Sequence, residues 1–291
     1  MRVFVTGASG WIGSAVVDDL LATGYDVLGL ARSDASAAGL EAKGATVLRG
    51  DLDDRDSLRR GAMAADATVH LANKHDWSNP AESNRAERVA VETIGEALRG
   101  RHRPFVLASG VVAAESEPSP FVGPESMRGG SENRAFDFIS EGVRAVAVRF
   151  APTVHGKHDH GFIALITQAA MRTGVSAYVG DGSHGWAAVH RSDAARLVRI
   201  GVERAAAGAR LHAVAEDAVS TKSIAEAVGE RLGLPVEAIA PDDAVAHFGF
   251  IGQIFGRDMS SSSTLTRQAY GWEPTGPTLL EDIAAGAYDP A

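Results

Sequence analysis

Three glycines, Gly7, Gly10 and Gly13, recur at a three-residue period inside the opening stretch MRVFVTGASGWIGS. The run before them, residues 2–6, is β-branched and aromatic and reads as a buried strand; from Trp11 the pattern turns helical. Strand, tight glycine turn and helix N-terminus together form a cradle for a pyrophosphate. Gly7 permits the turn, Gly10 lets the backbone approach the phosphates, Gly13 lets the helix pack close, and the helix end offers free N–H groups. Ser9, Trp11 and Ile12 complete this loop as cofactor-binding positions. A second concentration of chemistry lies at His155, His158, Asp159 and His160. The spacing is dense, but ligation requires converging geometry and supporting outer-shell bonds, and no metal is expected there.

The elements that must position these groups follow from the rest of the chain. It has 291 residues, 45% of them apolar and 22% charged, room for a large α/β domain with a smaller appendage. The formal charge of −9 argues against a nucleic-acid binder, which needs a basic face. There is no cysteine, so disulfides and thiolate chemistry are absent and a reducing cytoplasm is expected. No leader pattern opens the sequence and no apolar run is long enough to span a bilayer. Strands are expected at residues 25–31, 45–48, 67–72, 105–110 and 143–150, with helices at 12–23, 35–43, 54–64, 82–99 and 131–140 between them. This alternation predicts a parallel, doubly wound sheet. Beyond residue 152 the pattern is less regular, with a polar loop, a helix at 163–173, strands at 176–180, 211–215 and 235–239, and helices at 193–204 and from Ser220 or Thr221 to Leu232.

The string TGASGWIGS resembles the short-chain dehydrogenase/reductase superfamily in its extended, epimerase/dehydratase-like form. Val154-His-Gly, Val179-Gly-Asp-Gly, Val189-His190 with Asp193, and Gly271-Trp-Glu-Pro extend that resemblance along essentially the whole chain. It implies an α/β fold, a Rossmann-type doubly wound parallel sheet with a smaller C-terminal substrate lobe. The expected domains are 1–151, binding NADP, and 152–291, binding substrate, with some strands returning to the first. The resemblance also implies that Asp51 and Leu52 meet the adenine edge. Leu71, Ala72 and Asn73 are expected to line the cofactor crevice, and Pro152 and Val154 to border it. The helix at 82–99 builds a homodimer interface in relatives of this fold. At the end of the second strand, where an acidic side chain would accept bonds from the adenosine ribose and select NAD, this chain has Ala31 followed by Arg32 and Ser33. A guanidinium beside a hydroxyl suits a 2′-phosphate, so NADP(H) is expected, with NAD(H) the alternative.

In that superfamily a tyrosine, a lysine four residues later and a hydroxyl residue carry the proton and polarise the carbonyl. This chain does not keep the set. Arg128 stands at the tyrosine position and Glu132 at the lysine position, and the strand-five motif reads Ser109-Gly110-Val111 with valine where the active hydroxyl should be. Arg128 and Glu132 read most simply as an exposed i,i+4 pair, although Glu132 could accept bonds from ribose hydroxyls. Ser109, Thr153 and His160 are the catalytic candidates, since hydroxyls polarise carbonyls and imidazole exchanges protons near neutral pH. His75, Trp77, Val111, His160, Trp186 and His190 are the expected substrate contacts. Nucleotide-sugar relatives carry a diphosphate-binding arginine near Trp186 and an asparagine near Pro152; the indole lacks the charge such a ligand requires. The expected substrate is a compact carbonyl, hydroxy or imine compound and not a nucleotide sugar. Three functions stay open: an NADP-dependent oxidoreductase with a non-standard site, a catalytically silent NADP-binding sensor of the NmrA-like kind, and a lyase or isomerase that uses NADP transiently.

Overall fold

The run Arg2–Thr6 forms β1, and its last four residues are all buried, the pattern of a parallel strand covered on both faces. A computed structural model describes residues 1–76 and 78–289 of the chain. The strands that follow are β2 (Asp26–Ala31), β3 (Thr46–Arg49), β4 (Ala67–His70), β5 (Pro104–Gly110), β6 (Arg144–Phe150), β7 (Thr153–His155), β8 (Ser176–Val179), β9 (Gly185–His190), β10 (Arg210–Ala213), β11 (Glu216–Ser220) and β12 (Val236–Ile239). The helices that concern the site are α1 (Trp11–Ala22), α2 (Asp34–Ala42), α3 (Arg55–Ala64), α4 (Pro80–Leu98), α5 (Ser131–Asp137), α6 (Phe162–Thr173), α7 (Arg191–Glu203) and α8 (Thr221–Leu232).

Seven strands make one sheet in the order β10-β6-β5-β4-β1-β2-β3. β1 pairs in parallel with β2 on one side and β4 on the other, Val3 lying opposite both Val27 and Ala67. The sheet is parallel and flanked by helices, as the βαβ alternation predicts. Strand order reverses between β1 and β4, so a crevice opens beyond their carboxyl ends, where this architecture binds ligands. Beneath it Phe4, Leu58, Ile94, Phe105 and Phe138 form a core with no exposed surface.

The chain divides into two compact units. The first comprises Met1–Arg149, Ala195–His212 and Leu265–Trp272; the second comprises Phe150–Ala194, Ala213–Thr264 and Glu273–Ala291. The first unit thus recovers most of α7 and β10, which adds to the sheet beside β6. In the second unit β9 lies between β11, antiparallel and bulged after Glu216, and β7, parallel; β8 and β12 form a separate parallel pair. The stretch 240–264, to which the sequence pattern assigns no element, carries the short helices Ala244–Phe248 and Gly252–Phe255, too brief to show a helical period. β11 was likewise not foreseen. No helix among the described residues is long and apolar enough to cross a membrane.

Candidate functional site

The glycine turn after β1 has the geometry of an anion cradle. Gly7 adopts φ 66°, its carbonyl accepts from Gly10 N at 2.9 Å, and a Cβ on Gly13 would stand 1.9 Å from that carbonyl oxygen. A side chain at position 13 would therefore force α1 away from the turn. α1 has no side-chain cap and no acidic residue in its first turn, whereas Ser33, Asp54, Asn79 and Ser220 cap α2, α3, α4 and α8. The positive end of α1 is thus not offset by a cap or an acid in its own first turn and suits an anion. Ser9 is exposed, and Trp11 and Ile12 are half-buried. These residues fit a dinucleotide pyrophosphate.

At the end of β2, Ala31 is buried and Arg32 is exposed. Ser33 accepts from Ser36 N at 3.2 Å as the α2 cap. Arg49, which lies opposite Ala31 in register, donates to the Ser33 carbonyl at 2.8 Å and pairs with Asp34 at 2.7 Å. A second guanidinium therefore borders this position, and the nearby acid is already paired. Asp51 accepts from Asp53 N and Asp54 N, both at 2.9 Å, through one oxygen; Leu52 beside it is half-buried. Beyond β4, Leu71 N donates to Thr6 O and Ala72 N to Thr6 Oγ1. Asn73 accepts from His75 N at 2.8 Å and donates its amide to Glu87. His75 is exposed, with φ 50°. Trp77 lies outside the described residues.

One buried carboxylate, Glu132, lines the cleft beyond β5 with Ser109, Val112, Phe121, Met127 and Arg128; a second, Glu87, lies against Arg128. Glu132 is not an exposed partner of Arg128. It is buried on the first turn of α5, while Arg128 precedes that helix with φ 52°, so the two share no helical face. Glu132 Oε2 accepts from Ser109 Oγ at 2.8 Å and Arg149 Nε at 2.9 Å; Oε1 accepts from Arg149 Nη2 at 2.6 Å and Arg210 Nε at 3.0 Å. With both oxygens doubly engaged, no acceptor position is left for ribose hydroxyls, which corrects that expectation of Glu132. Burial opposes its charge, but the Arg149 guanidinium, with Ser109 and Arg210, holds the carboxyl below the usual range. Ser109 commits its proton to this carboxylate and offers only lone pairs to the cleft. Val111 is half-buried nearby in sequence.

Glu87 is the other carboxylate, fully buried on α4. Arg128 Nη2 lies 2.7 Å from its Oε1, a short contact whose angles make no directed hydrogen bond; Arg128 Nε is also buried without a hydrogen-bond partner. Burial pushes the Glu87 carboxyl up against the opposing pull of Arg128 and Asn73. Arg128, Gly129 and Gly130 are three successive left-handed residues, and a Cβ on Gly129 would lie 2.2 Å from the Asn84 carbonyl oxygen. This turn delivers the guanidinium to Glu87. His70, buried at the end of β4, bonds Thr6 Oγ1 through Nδ1 at 2.8 Å, and its Nε2 has no partner. Burial, with the Arg128 charge, pushes its imidazole down to about 3. His70, Glu87, Arg149 and Arg210 were not legible as site residues; the Gly129-Gly130 pair after Arg128 was the available signal for the turn.

The second unit holds the remaining candidates. Thr153 is buried in β7 and its Oγ1 has no hydrogen-bond partner; Pro152 and Val154 beside it are half-buried. His160 is exposed, next to Asp159, whose carboxyl burial pushes up and which accepts from Tyr288 OH at 3.0 Å. His190 is half-buried and contacts Ser192 Oγ at 2.7 Å. His155 contacts Asp282 at 2.6 Å, and burial lowers its imidazole despite that bond. Trp186 does not wall a substrate site. It has no exposed surface, its ring meets Phe162 and Phe255 edge-on at 5.9 and 5.3 Å, and Nε1 donates to the Arg257 carbonyl at 3.1 Å. Its apolar area is used in the core, with its one polar atom satisfied there. Among the described residues no three metal-binding side chains converge on a point.

Comparison with known proteins agrees with this geometry. The family model of the NAD dependent epimerase/dehydratase family matches residues 3–214. An uncharacterized protein of Schizosaccharomyces pombe is 42% identical over 294 residues, 99% of this chain and 100% of that one. The 4-hydroxy-2-methyl-3-oxo-4-farnesyl-3,4-dihydroquinoline-1-oxide ketoreductase of Stigmatella aurantiaca is 28% identical over 223 residues, 72% of this chain and 66% of its own. Among solved structures, UDP-glucose 4-epimerase from Thermotoga maritima, determined with UDP-glucose, shares the fold with a TM-score of 0.76 at 19% identity, covering 99% of this chain and 98% of that one.

Proposed function

Because the chain belongs to the NAD dependent epimerase/dehydratase family, we propose that it is an oxidoreductase that binds NADP(H) and acts on a small carbonyl or hydroxy compound, imines included. The observation that carries this reading is the uncapped, acid-free N-terminus of α1 behind the Gly7 turn, at the point where strand order reverses. The cofactor, when bound, supplies or accepts the hydride. Gly7, Gly10 and Gly13 let the backbone reach its pyrophosphate. Arg32, with Arg49 close by, supplies charge for a 2′-phosphate, and the neighbouring Asp34 is paired with Arg49. Asp51 keeps one oxygen for the adenine edge.

The proton does not come from the cleft of the first unit. Ser109 directs its hydrogen to Glu132, Glu132 is held ionised, and a guanidinium does not titrate. We assign proton transfer to His160, an exposed imidazole of the second unit, with the Thr153 hydroxyl as the group that polarises the substrate oxygen. The reading takes nucleotide sugars as non-substrates, because the buried indole of Trp186 brings no charge near the position where such relatives carry a diphosphate-binding arginine. The same reading takes the protein as a cytoplasmic homodimer. A second reading, a catalytically silent NADP sensor, is favoured because Glu132, the one carboxyl among the described residues lining the Ser109 cleft, is held ionised.

Cofactor fluorescence followed by loss of the reduced-nicotinamide band tests both. NADPH is expected to bind more tightly than NADH, Arg32→Ala to remove about ten-fold or more of that preference, and Gly13→Ala to abolish binding of both. Oxidation of NADPH by a carbonyl or imine compound, lost in His160→Gln, is the expected result. Binding without turnover across a broad panel favours the sensor, and tighter NADH binding overturns the NADP assignment.

A further inference from the structure

Arg128 presents more donor capacity than the protein uses. Its Nε is buried with no partner, its contact with Glu87 is short but misaligned, and about a quarter of the side chain (26%) is exposed. It lines the same cleft as Ser109, with Phe121 and Met127 as apolar neighbours. The backbone is arranged to hold it there: three left-handed residues in succession, the first of them the arginine itself, pressed against Asn84 and Val122. A non-glycine residue in that conformation costs free energy and persists where its surroundings fix it, commonly at ligand sites. Arg128 N also donates to Asn84 Oδ1 at 3.0 Å, a further restraint. Arg149 and Arg210 direct their guanidiniums to Glu132, whereas Arg128, which lines the cleft, faces Glu87.

We propose that Arg128 binds a carboxylate of the substrate, so that the compound acted on is a small oxo acid or hydroxy acid. This rests on the oxidoreductase reading and deepens it. The planar fork of a guanidinium matches a carboxylate with two parallel bonds. Ser109, which can only accept at the cleft, complements a hydroxyl on the same molecule. Arg128 is then a substrate-binding residue and takes no part in moving the proton.

Equilibrium binding separates this proposal from the reading beneath it, because it needs no turnover. Benzoylformate and acetoacetate are titrated calorimetrically against their methyl esters, with and without NADP⁺. The acids are expected to bind at least about ten-fold more tightly than the esters. Arg128→Gln is expected to bring acid affinity down to that of the ester while leaving ester and NADP⁺ binding in place. Glu87→Gln, which removes the charge competing for the guanidinium, is expected to raise acid affinity above that of the unaltered protein. Equal binding of acid and ester, an acid preference that survives Arg128→Gln, or loss of acid binding in Glu87→Gln overturns the proposal. Acid preference with no NADPH oxidation would leave Arg128 as an acid-binding residue and sink the oxidoreductase reading instead.

Discussion

Glu87 and Glu132 are both buried, both lie on helices beside the central sheet, and both meet arginine, yet they end in opposite electrostatic states. Glu132 receives four directed hydrogen bonds, three of them from Arg149 and Arg210, and its carboxyl is held down. Glu87 receives one amide and one misaligned guanidinium, and burial carries its carboxyl up. The difference lies in satisfaction rather than in depth. A buried charge whose lone pairs are all engaged becomes a fixed structural unit, whereas one with an incomplete partner set leaves its arginine open to something else. The first arrangement joins β5, α5, β6 and β10; the second leaves Arg128 at the cleft.

The largest effect that would break this comparison is on folding. Glu132→Ala leaves Arg149, which has no exposed surface, without its carboxylate. A loss of about 3–5 kcal/mol is expected, read from urea denaturation, and Glu87→Ala should cost clearly less. Equal losses would mean that the two carboxylates do the same work. The next effect is the sign of the pH dependence. The depressed Glu132 contributes stability that is present above the ordinary glutamate value, about 4.3, and lost as pH falls through its folded value. The elevated Glu87 contributes stability that is present below that value and lost as pH rises through its own. Urea midpoints from about pH 3 to about pH 7 should therefore show Glu132→Gln flattening the loss of stability toward acid and Glu87→Gln flattening the loss of stability toward higher pH. Variants that flatten the same limb would overturn the assignment.

The half of the molecule that obeys simple patterning was legible from the sequence. Gly7, Gly10 and Gly13 between an apolar run and a helix specify the β1–α1 turn, because each glycine answers a local steric demand. The sheet follows from strand and helix periods. The Glu132 network was not legible. Its members, Ser109, Arg149 and Arg210, come from three strands, and nothing local marks Arg149 as the arginine that loses all contact with water. Position alone suggested an exposed pair with Arg128, a reading that assumed a continuous helix. Gly129 and Gly130 end that assumption, since both take the left-handed conformation and break the i,i+4 relation. Trp186 shows the same limit: an isolated tryptophan reads equally as a pocket wall or as core, and Phe162 and Phe255, distant in sequence, decide between them.

The smallest effect is the sharpest. Ser109 occupies the strand where a hydroxyl is expected to polarise a substrate carbonyl, but its 2.8 Å bond runs to Glu132. A hydroxyl has one proton to give. If that proton belongs to the carboxylate, Ser109→Ala removes one of four bonds to Glu132 and lowers stability by about 1 kcal/mol. Turnover of a hydroxy acid then falls by less than about ten-fold, through KM, because only an accepted bond from the substrate hydroxyl is lost. A hydroxyl that served a developing oxyanion would behave otherwise, with kcat down by about a hundred-fold or more and stability unchanged. Measuring kcat, KM and the urea midpoint on this one variant therefore decides whether the serine belongs to the buried network or to the reacting atoms.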